Sequence, residues 1–263
     1  MKTSKKAEIA VIGGTGFEEL FEYSEELVIE TQFGISPTIY IGKIGSRDVL
    51  FLPRHGRDHS IPPHKINFKA NIDALRKIGV KRIFATNAVG AINQNFKPGD
   101  IIVPHDFIDF TKLRNTTFYN EAPVTHIDVS HPYCPEIRKI IKKTAEELDI
   151  DIQDKAVLVC TEGPRYETPA EINMFRILGC DIVGMTMVPE VVLAREAEIC
   201  YASVCYVSNM AAGMQKQLTA HEISKVLRNA FPRIEQILIE TIKVLPTERE
   251  CPCATALEEA RLG

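Results

Sequence analysis

No stretch of this 263-residue sequence is apolar for long enough to cross a membrane or direct secretion. The opening MKTSKKAEIAVIGG holds only a strand's worth of apolar residues before its glycines. Cytoplasm is therefore the expected compartment. Nor is positive charge in surplus: Lys and Arg total 31 against 35 Asp and Glu, a formal net charge of -4. That balance argues against a nucleic-acid or membrane partner and leaves any small anion to a local pocket. A dinucleotide fingerprint is missing, because G-x-G-x-x-G read from Gly14 would need glycine at Glu19, and there is no Walker loop. Low-complexity segments and internal repeats are lacking too. With 45% hydrophobic and 25% charged residues, and 15 Gly and 15 Pro scattered along the chain, a large packed core is expected and disorder is not. One domain over residues 1–263 is expected, with its core at about 8–245 and a C-terminal tail beyond.

What is present is an alternation of strands and helices. Ala7 to Ile12 reads as a buried strand entering the tight loop Gly13-Gly14-Thr15-Gly16, and Val49 to Leu52 as a second strand that stops at Pro53. Phe68, Ile72 and Leu75 stripe a helix between Asn67 and Lys77; Gly79 ends it before a strand at Arg82 to Thr86. The helix striped by Ile137, Ile140, Ile141, Ala145 and Leu148 precedes a strand at Ala156 to Val159. The one carrying Ile172, Phe175 and Leu178 precedes Ile182 to Met185. Glu190 to Ala197 reads as helix, Cys200 to Val207 as the last strong strand, and His221 to Leu245 as a closing helix that Pro232 kinks or divides. The pattern predicts an α/β fold with a mostly parallel sheet covered on both faces.

Several loops carry groups with chemical uses. The glycine loop can cradle a phosphate with N–H groups and the Thr15 hydroxyl, or serve as a plain turn. Arg54 and His55 can offer a forked donor and an imidazole N–H to an oxyanion, or form a solvated loop. Thr15, the Arg54-His55 pair, Thr86-Asn87-Ala88 and Thr186 all fall at strand ends, which converge on one edge of a parallel sheet. Glu167 and Asn209 offer a carboxylate acceptor and an amide with both functions, which suit the N1-H, O6 and N7 edge of a 6-oxopurine. Of the seven cysteines (Cys134, Cys160, Cys180, Cys200, Cys205, Cys251 and Cys253), most are expected to be buried thiols. The Cys251-Pro252-Cys253 tail has the makings of a metal or redox pair, but lacks the second pair of ligands that structural zinc sites use.

The strings GGTGF, PRHGRDHSIPPHKINFKANI, ATNAVGAI, KPGDIIVPHDFIDFT, TEGPRYETPAE and GMTMVPEVVLAREAEICYAS, in this order, resemble the trimeric purine nucleoside phosphorylase and methylthioadenosine phosphorylase family, from about residue 8 to 245. The resemblance implies an α/β domain with a mixed, partly barrel-like sheet, assembled as a homotrimer or a dimer of trimers. It implies a transferase of purine salvage that acts on a purine nucleoside with inorganic phosphate as co-substrate, and no metal or organic cofactor. Thr15, Arg54, His55, Asn87, Ala88 and Thr186 would hold phosphate. Met185 would pack under the ribose, Tyr166 would flank the base, and His126 resembles a residue lent to the neighbouring subunit's site.

Within that family the base-reading positions divide. Adenine-cleaving members have serine where Glu167 stands and aspartate where Asn209 and Ala211 stand. The Glu167 and Asn209 pair, followed by Met210 and Ala211, resembles phosphorylases of inosine and guanosine, whereas the surrounding strings read closer to the methylthioadenosine branch. Methylthioinosine phosphorylases share this combination and are the rival expectation. His221 aligns with a residue that donates to a 5′-hydroxyl, and apolar residues replace it in methylthio-selective members. Some archaeal and heat-adapted relatives end in C-x-C and carry cysteines near the positions of Cys134, Cys200 and Cys205, where disulfides occur. By that likeness the tail is expected to act in stability.

Overall fold

Alternate residues of strand β1 (Ile9–Gly13) enter two different cores: Ile9 and Val11 one, Ala10 and Ile12 the other. Successive side chains of a strand point to opposite faces, so a strand apolar throughout must be covered on both. The computed structural model describes residues 7–14, 17, 22–215, 220–258 and 260–261, with the backbone alone for 220–223. The chain continues through β2 (Tyr23–Leu27), β3 (Glu30–Thr31), β4 (Gly34–Ile35), β5 (Ile39–Ile44) and β6 (Arg47–Pro53) to α1 (Phe68–Ile78). Then come β7 (Arg82–Ala91), β8 (Ile101–Ile102), β9 (Asp106–Phe110), α2 (Pro135–Glu147), β10 (Ile152–Gln153), β11 (Val157–Thr161) and α3 (Pro169–Ile177). Strand β12 (Ile182–Gly184), α4 (Met187–Glu196), β13 (Cys200–Met210) and α5 (Ala220–Val244) complete the core.

Helix α1 shows how locally the ends are specified. The Asn67 side chain accepts from the Ala70 N–H at its start, and Gly79, at φ 106, closes it by donating to the Leu75 and Arg76 carbonyls. Phe68, Ile72 and Leu75 of α1 join Val191, Leu193 and Ala194 of α4 on one face of the sheet. Ile137 and Ile141 of α2 join Ile234, Ile237 and Leu238 of α5 on the other. Among the described residues, no helix is long and apolar enough to cross a membrane.

The sheet is mixed. Strands β6, β1, β7 and β13 run parallel in that order, while β2, β5 and β6 pair antiparallel at one end. Two sequence expectations need correcting here. Strand β7 does not stop at Thr86 but runs to Ala91, held along its length by β13. Pro232 sits inside a continuous α5 instead of dividing it. Helix α4 is kinked at Val188 (φ -111, ψ 129), so its regular part starts beside the expected Glu190. The apolar stripe of α5, including Ala230 and Ile234 on either side of the proline, packs as one surface and keeps the helix whole.

Strand β7 also divides the sheet. With β13 on one edge from Arg82 to Ala91, the other edge is shared: β1 pairs with it from Arg82 to Ala85, and β12 takes over, antiparallel, at Gly90 and Ala91. Between them, Thr86 to Val89 has no strand on that edge among the described residues. Ala88 is the exposed residue of an otherwise buried strand.

Candidate active site

A cavity of about 550 Å³ opens at this division. Ligands of open α/β sheets collect at such points because neighbouring strands part there and leave backbone groups unpaired. The cavity brings together Arg54 and His55 after β6, Asn87 and Ala88 within β7, Tyr166 and Glu167 between β11 and α3, Met185 and Thr186 between β12 and α4, and Asn209 and Ala211 at the end of β13. These are ten of the residues singled out in the sequence. Thr15 and the His221 side chain lie outside the described residues. Met210 and His126 are not in the lining; His126 is exposed, and its N–H donates to the Ala260 carbonyl of the tail at 2.7 Å.

One wall is built to present donors. Arg54 is 1% exposed, and its fork is not free, as the sequence reading supposed: Nε and Nη2 each donate to Glu190 at 2.7 Å, and Nη1 donates to the Thr86 carbonyl at 3.0 Å. One N–H on each terminal nitrogen remains. Burial alone would lower the Arg54 pKa, but Glu190 outweighs it and holds the guanidinium above its ordinary range. The Tyr201 hydroxyl also donates to Glu190, at 2.7 Å. Glu190 therefore neutralises the arginine, and the wall acts through directed N–H and O–H groups more than through net charge.

A hydrogen-bond chain aims the next donor. Ser203 Oγ donates to Asn87 Oδ1 at 2.8 Å, and Asn87 Nδ2 donates to Thr186 Oγ at 2.8 Å. Thr186 Oγ accepts that bond and has no protein acceptor for its own proton among the described residues, so the hydroxyl proton stays available to the cavity.

His55 departs from its expected role as an N–H donor. Nδ1 lies 2.8 Å from the Ile61 carbonyl, which fixes the proton there and leaves Nε2 of the neutral ring as an acceptor. Burial pushes the ring's pKa down to about 4; the bond to Ile61 works against this, and nearby Arg54 and His59 add to it. Since the folded pKa is depressed, the stabilisation is present above the unfolded value of about 6.5 and is lost as pH falls through the folded value. Stability is expected to drop by up to about 3 kcal/mol between roughly pH 6.5 and 4 on this account. His55→Gln should flatten that part of the curve in urea titrations at each pH; identical slopes in both proteins would count against it.

The opposite wall is fixed from its own loops. Glu167 is 8% exposed, and its Oε1 accepts from Thr161 Oγ at 2.7 Å, leaving Oε2 for a ligand. A capping box between Thr168 and Glu171 opens α3 immediately after it, and Arg165 grips Glu171 with both terminal nitrogens at 2.8 and 2.7 Å. The loop is thus held on either side of Glu167. Across the cavity, a register shift between Val207 and Asn209 leaves Ser208 as the extra residue of a bulge. Ser208 Oγ donates to Asn209 Oδ1 at 2.6 Å, and Asn209 Nδ2 donates to the Met210 carbonyl at 2.9 Å. The amide is thereby oriented, with one N–H to spare. Gly90 makes room for it: a Cβ there would lie 3.3 Å from Asn209 Nδ2 and 3.1 Å from Val183.

The sequence reading missed Glu190, because an acid in MVPEVVLA looks like an ordinary helix residue, and missed Ser203 and Ser208, which act only through their neighbours. It also missed Phe17, Tyr206 and Leu227, apolar walls of the cavity, and Ser224 beside them on α5.

The phosphorylase superfamily profile matches residues 8–243. A protein of Methanopyrus kandleri named a probable S-methyl-5′-thioinosine phosphorylase is 49% identical over 97% of this chain and 99% of its own length. The 6-oxopurine nucleoside phosphorylase of Pyrococcus furiosus is 46% identical over 96% of this chain and 98% of its own. The structure of methylthioadenosine phosphorylase from Schistosoma mansoni in complex with adenine superimposes with a TM-score of 0.91 at 31% identity, covering 97% and 99% of the two chains. With a profile matched along nearly its whole length, close relatives end to end, and a cavity at the division of its sheet, this chain belongs to the phosphorylase superfamily and is an enzyme, a nucleoside phosphorylase.

Proposed function

We propose that the enzyme cleaves 6-oxopurine nucleosides, inosine and guanosine, with inorganic phosphate, giving the free base and ribose 1-phosphate in purine salvage. One observation carries this reading: Glu167 and Asn209 face one cavity, each oriented by a neighbouring hydroxyl, and Ala211 lines it too, at the position where by family likeness adenine-cleaving members carry an aspartate. A carboxylate oxygen accepts from purine N1-H, and the spare amide N–H donates toward N7 and O6. Adenine has no N1-H and would leave Glu167 buried against a lone pair.

Phosphate is assigned to the wall of Arg54, Ala88 and Thr186, with Asn87 positioning Thr186 and Thr15 completing the cradle. Neutral His55 accepts from a phosphate hydroxyl. The C1′–N9 bond breaks with its electron pair leaving on the base, and a phosphate oxygen forms the new bond to C1′. The bound anion offsets positive charge on the sugar while Asn209 offsets negative charge on the base. Met185 is assigned to the ribose floor and Tyr166 to the open side of the base. No step calls on a metal or organic cofactor. A homotrimer or dimer of trimers in the cytoplasm, with His126 lent across the interface, completes the reading by family likeness.

The rival reading, methylthioinosine as the main substrate, is favoured by the M. kandleri relative's name and differs only at the 5′ position assigned to His221. The test is hypoxanthine release from inosine and from methylthioinosine, with and without phosphate, in the wild type and in His221→Val. Phosphate-dependent release with inosine preferred, and a shift toward methylthioinosine in the variant, are expected. Preference for methylthioinosine in the wild type overturns the 5′ assignment, and release without phosphate overturns the reaction.

A further inference from the structure

Four of the seven cysteines meet at one point far apart in sequence. Cys134 immediately precedes α2, Cys200 opens β13, and Cys251 and Cys253 flank Pro252 in the tail. Their sulfur atoms all lie within 4.8 Å of one another, and all four residues are buried, at 1, 0, 8 and 2% exposure. The second pair of ligands, which the Cys251-Pro252-Cys253 segment lacks in sequence, is thus supplied by the sheet and a helix.

We propose that this cluster is a structural tetrathiolate site for a soft divalent cation of the zinc type, which fastens the C-terminal tail to the sheet. A tetrahedron with metal–sulfur bonds of about 2.3 Å has sulfur–sulfur edges of about 3.8 Å. The cluster has that scale, with Cys200 and Cys251 at 3.2 Å. A single central atom accounts for all four sulfurs converging, and four thiolates with no oxygen or imidazole select zinc over hard cations. Binding releases four thiol protons and leaves a centre of net charge 2−.

The surroundings suit that charge. Arg249 Nη1 lies 4.0 Å from Cys200 Sγ while donating to the Glu198 carbonyl at 2.7 Å. The backbone around the ligands is tied down as well: Cys134 N donates to the Tyr201 carbonyl at 2.8 Å, Cys200 N to that of Lys81 at 3.0 Å, and Glu250 N to Glu136 at 2.8 Å. Preorganised second partners of this kind fix ligands for a metal. Beyond the site, the tail pairs with the segment before α2, through a bridge between Thr125 and Arg261 and the bond from His126 to Ala260. The centre therefore holds in place the stretch that carries His126.

The test uses the whole enzyme, expressed with zinc and purified with a thiol reductant and no chelator. Elemental analysis is expected to give one zinc per chain. Cys134→Ser and Cys253→Ser are expected to lose it, and Cys160→Ser and Cys205→Ser, buried elsewhere, to keep it. Cobalt loading of the wild type should give the thiolate charge-transfer and tetrahedral bands of a four-sulfur site, a readout independent of how the variants fold. Stripping zinc should lower the melting temperature by about 10 °C. A metal-free reduced enzyme that takes up neither zinc nor cobalt overturns the proposal. So does peptide mapping that finds the four cysteines paired as two disulfides in the protein as isolated, or zinc retained in both ligand variants.

Discussion

Arg54→Ala is expected to lower the melting temperature by roughly 10 °C and to raise the phosphate concentration for half-saturation by about a hundredfold or more. Both effects follow from one salt bridge. Glu190 is 0% exposed, and without Arg54 its carboxylate keeps, among the described residues, only the neutral Tyr201 hydroxyl as a side-chain donor. Leaving a buried charge unpaired costs about 3–5 kcal/mol, and each kcal/mol is worth roughly 2–4 °C in a chain of this size. The kinetic part has a different source, the two guanidinium N–H groups left over for phosphate, each charge-assisted bond being worth about 1.5–3 kcal/mol. Removing both partners separates the two. In Arg54→Met combined with Glu190→Leu no charge is left buried, so thermal stability should return toward the wild type while phosphate saturation stays lost. Full activity in the double variant, or no recovery of stability, would contradict this division of roles.

Asn209→Asp is expected to cut inosine turnover by about two orders of magnitude and move the adenosine-to-inosine ratio toward adenosine. The reason lies in what surrounds the amide. Nδ2 faces the Met210 carbonyl at 2.9 Å, and a carboxylate oxygen in its place would repel that carbonyl unless protonated. One proton would then have to serve both Met210 and purine N7, where the amide has two. An aspartate oxygen also accepts from a 6-amino group, which the spare amide N–H cannot do. Steady-state kcat/KM on both nucleosides, repeated across pH, checks the point. The variant should lose activity as pH rises and the added carboxyl ionises, and a flat profile with inosine still preferred by the wild-type margin would refute it.

How far this was readable from the sequence varies with the range of the interactions. Helix α1 was legible because its stripe, its Asn67 cap and its Gly79 stop are all local. Strand β2 was not: YSEEL is mostly exposed along its length, so it has no apolar alternation, and it exists only because β5 pairs with it. The strand ending assumed at Thr86 failed for a related reason. Asn87 and Ala88 look like loop residues, but β13 carries β7 past them, and the missing strand on the other edge is what turns them into cavity wall. The residues of the site could be gathered by likeness to a family, yet their states could not. That Arg54 is paired, that His55 has spent its N–H, and that Ser208 orients Asn209 depend on partners 136, 6 and 1 residues away. Of these only the tertiary structure fixes the first. Cys134 and Cys253 likewise have no relation in spacing that announces their meeting.

The central claim is that the site reads a 6-oxopurine, and the direct measurement is kcat/KM of the wild-type enzyme for inosine and adenosine under the same saturating phosphate. Adenine would leave Glu167 without the N1-H it accepts and set its 6-amino group against an amide donor, at about 1–3 kcal/mol for each mismatch. Inosine should therefore be preferred by about two orders of magnitude or more. Comparable values for the two nucleosides would contradict the assignment of Glu167 and Asn209 and, with it, the proposed substrate class.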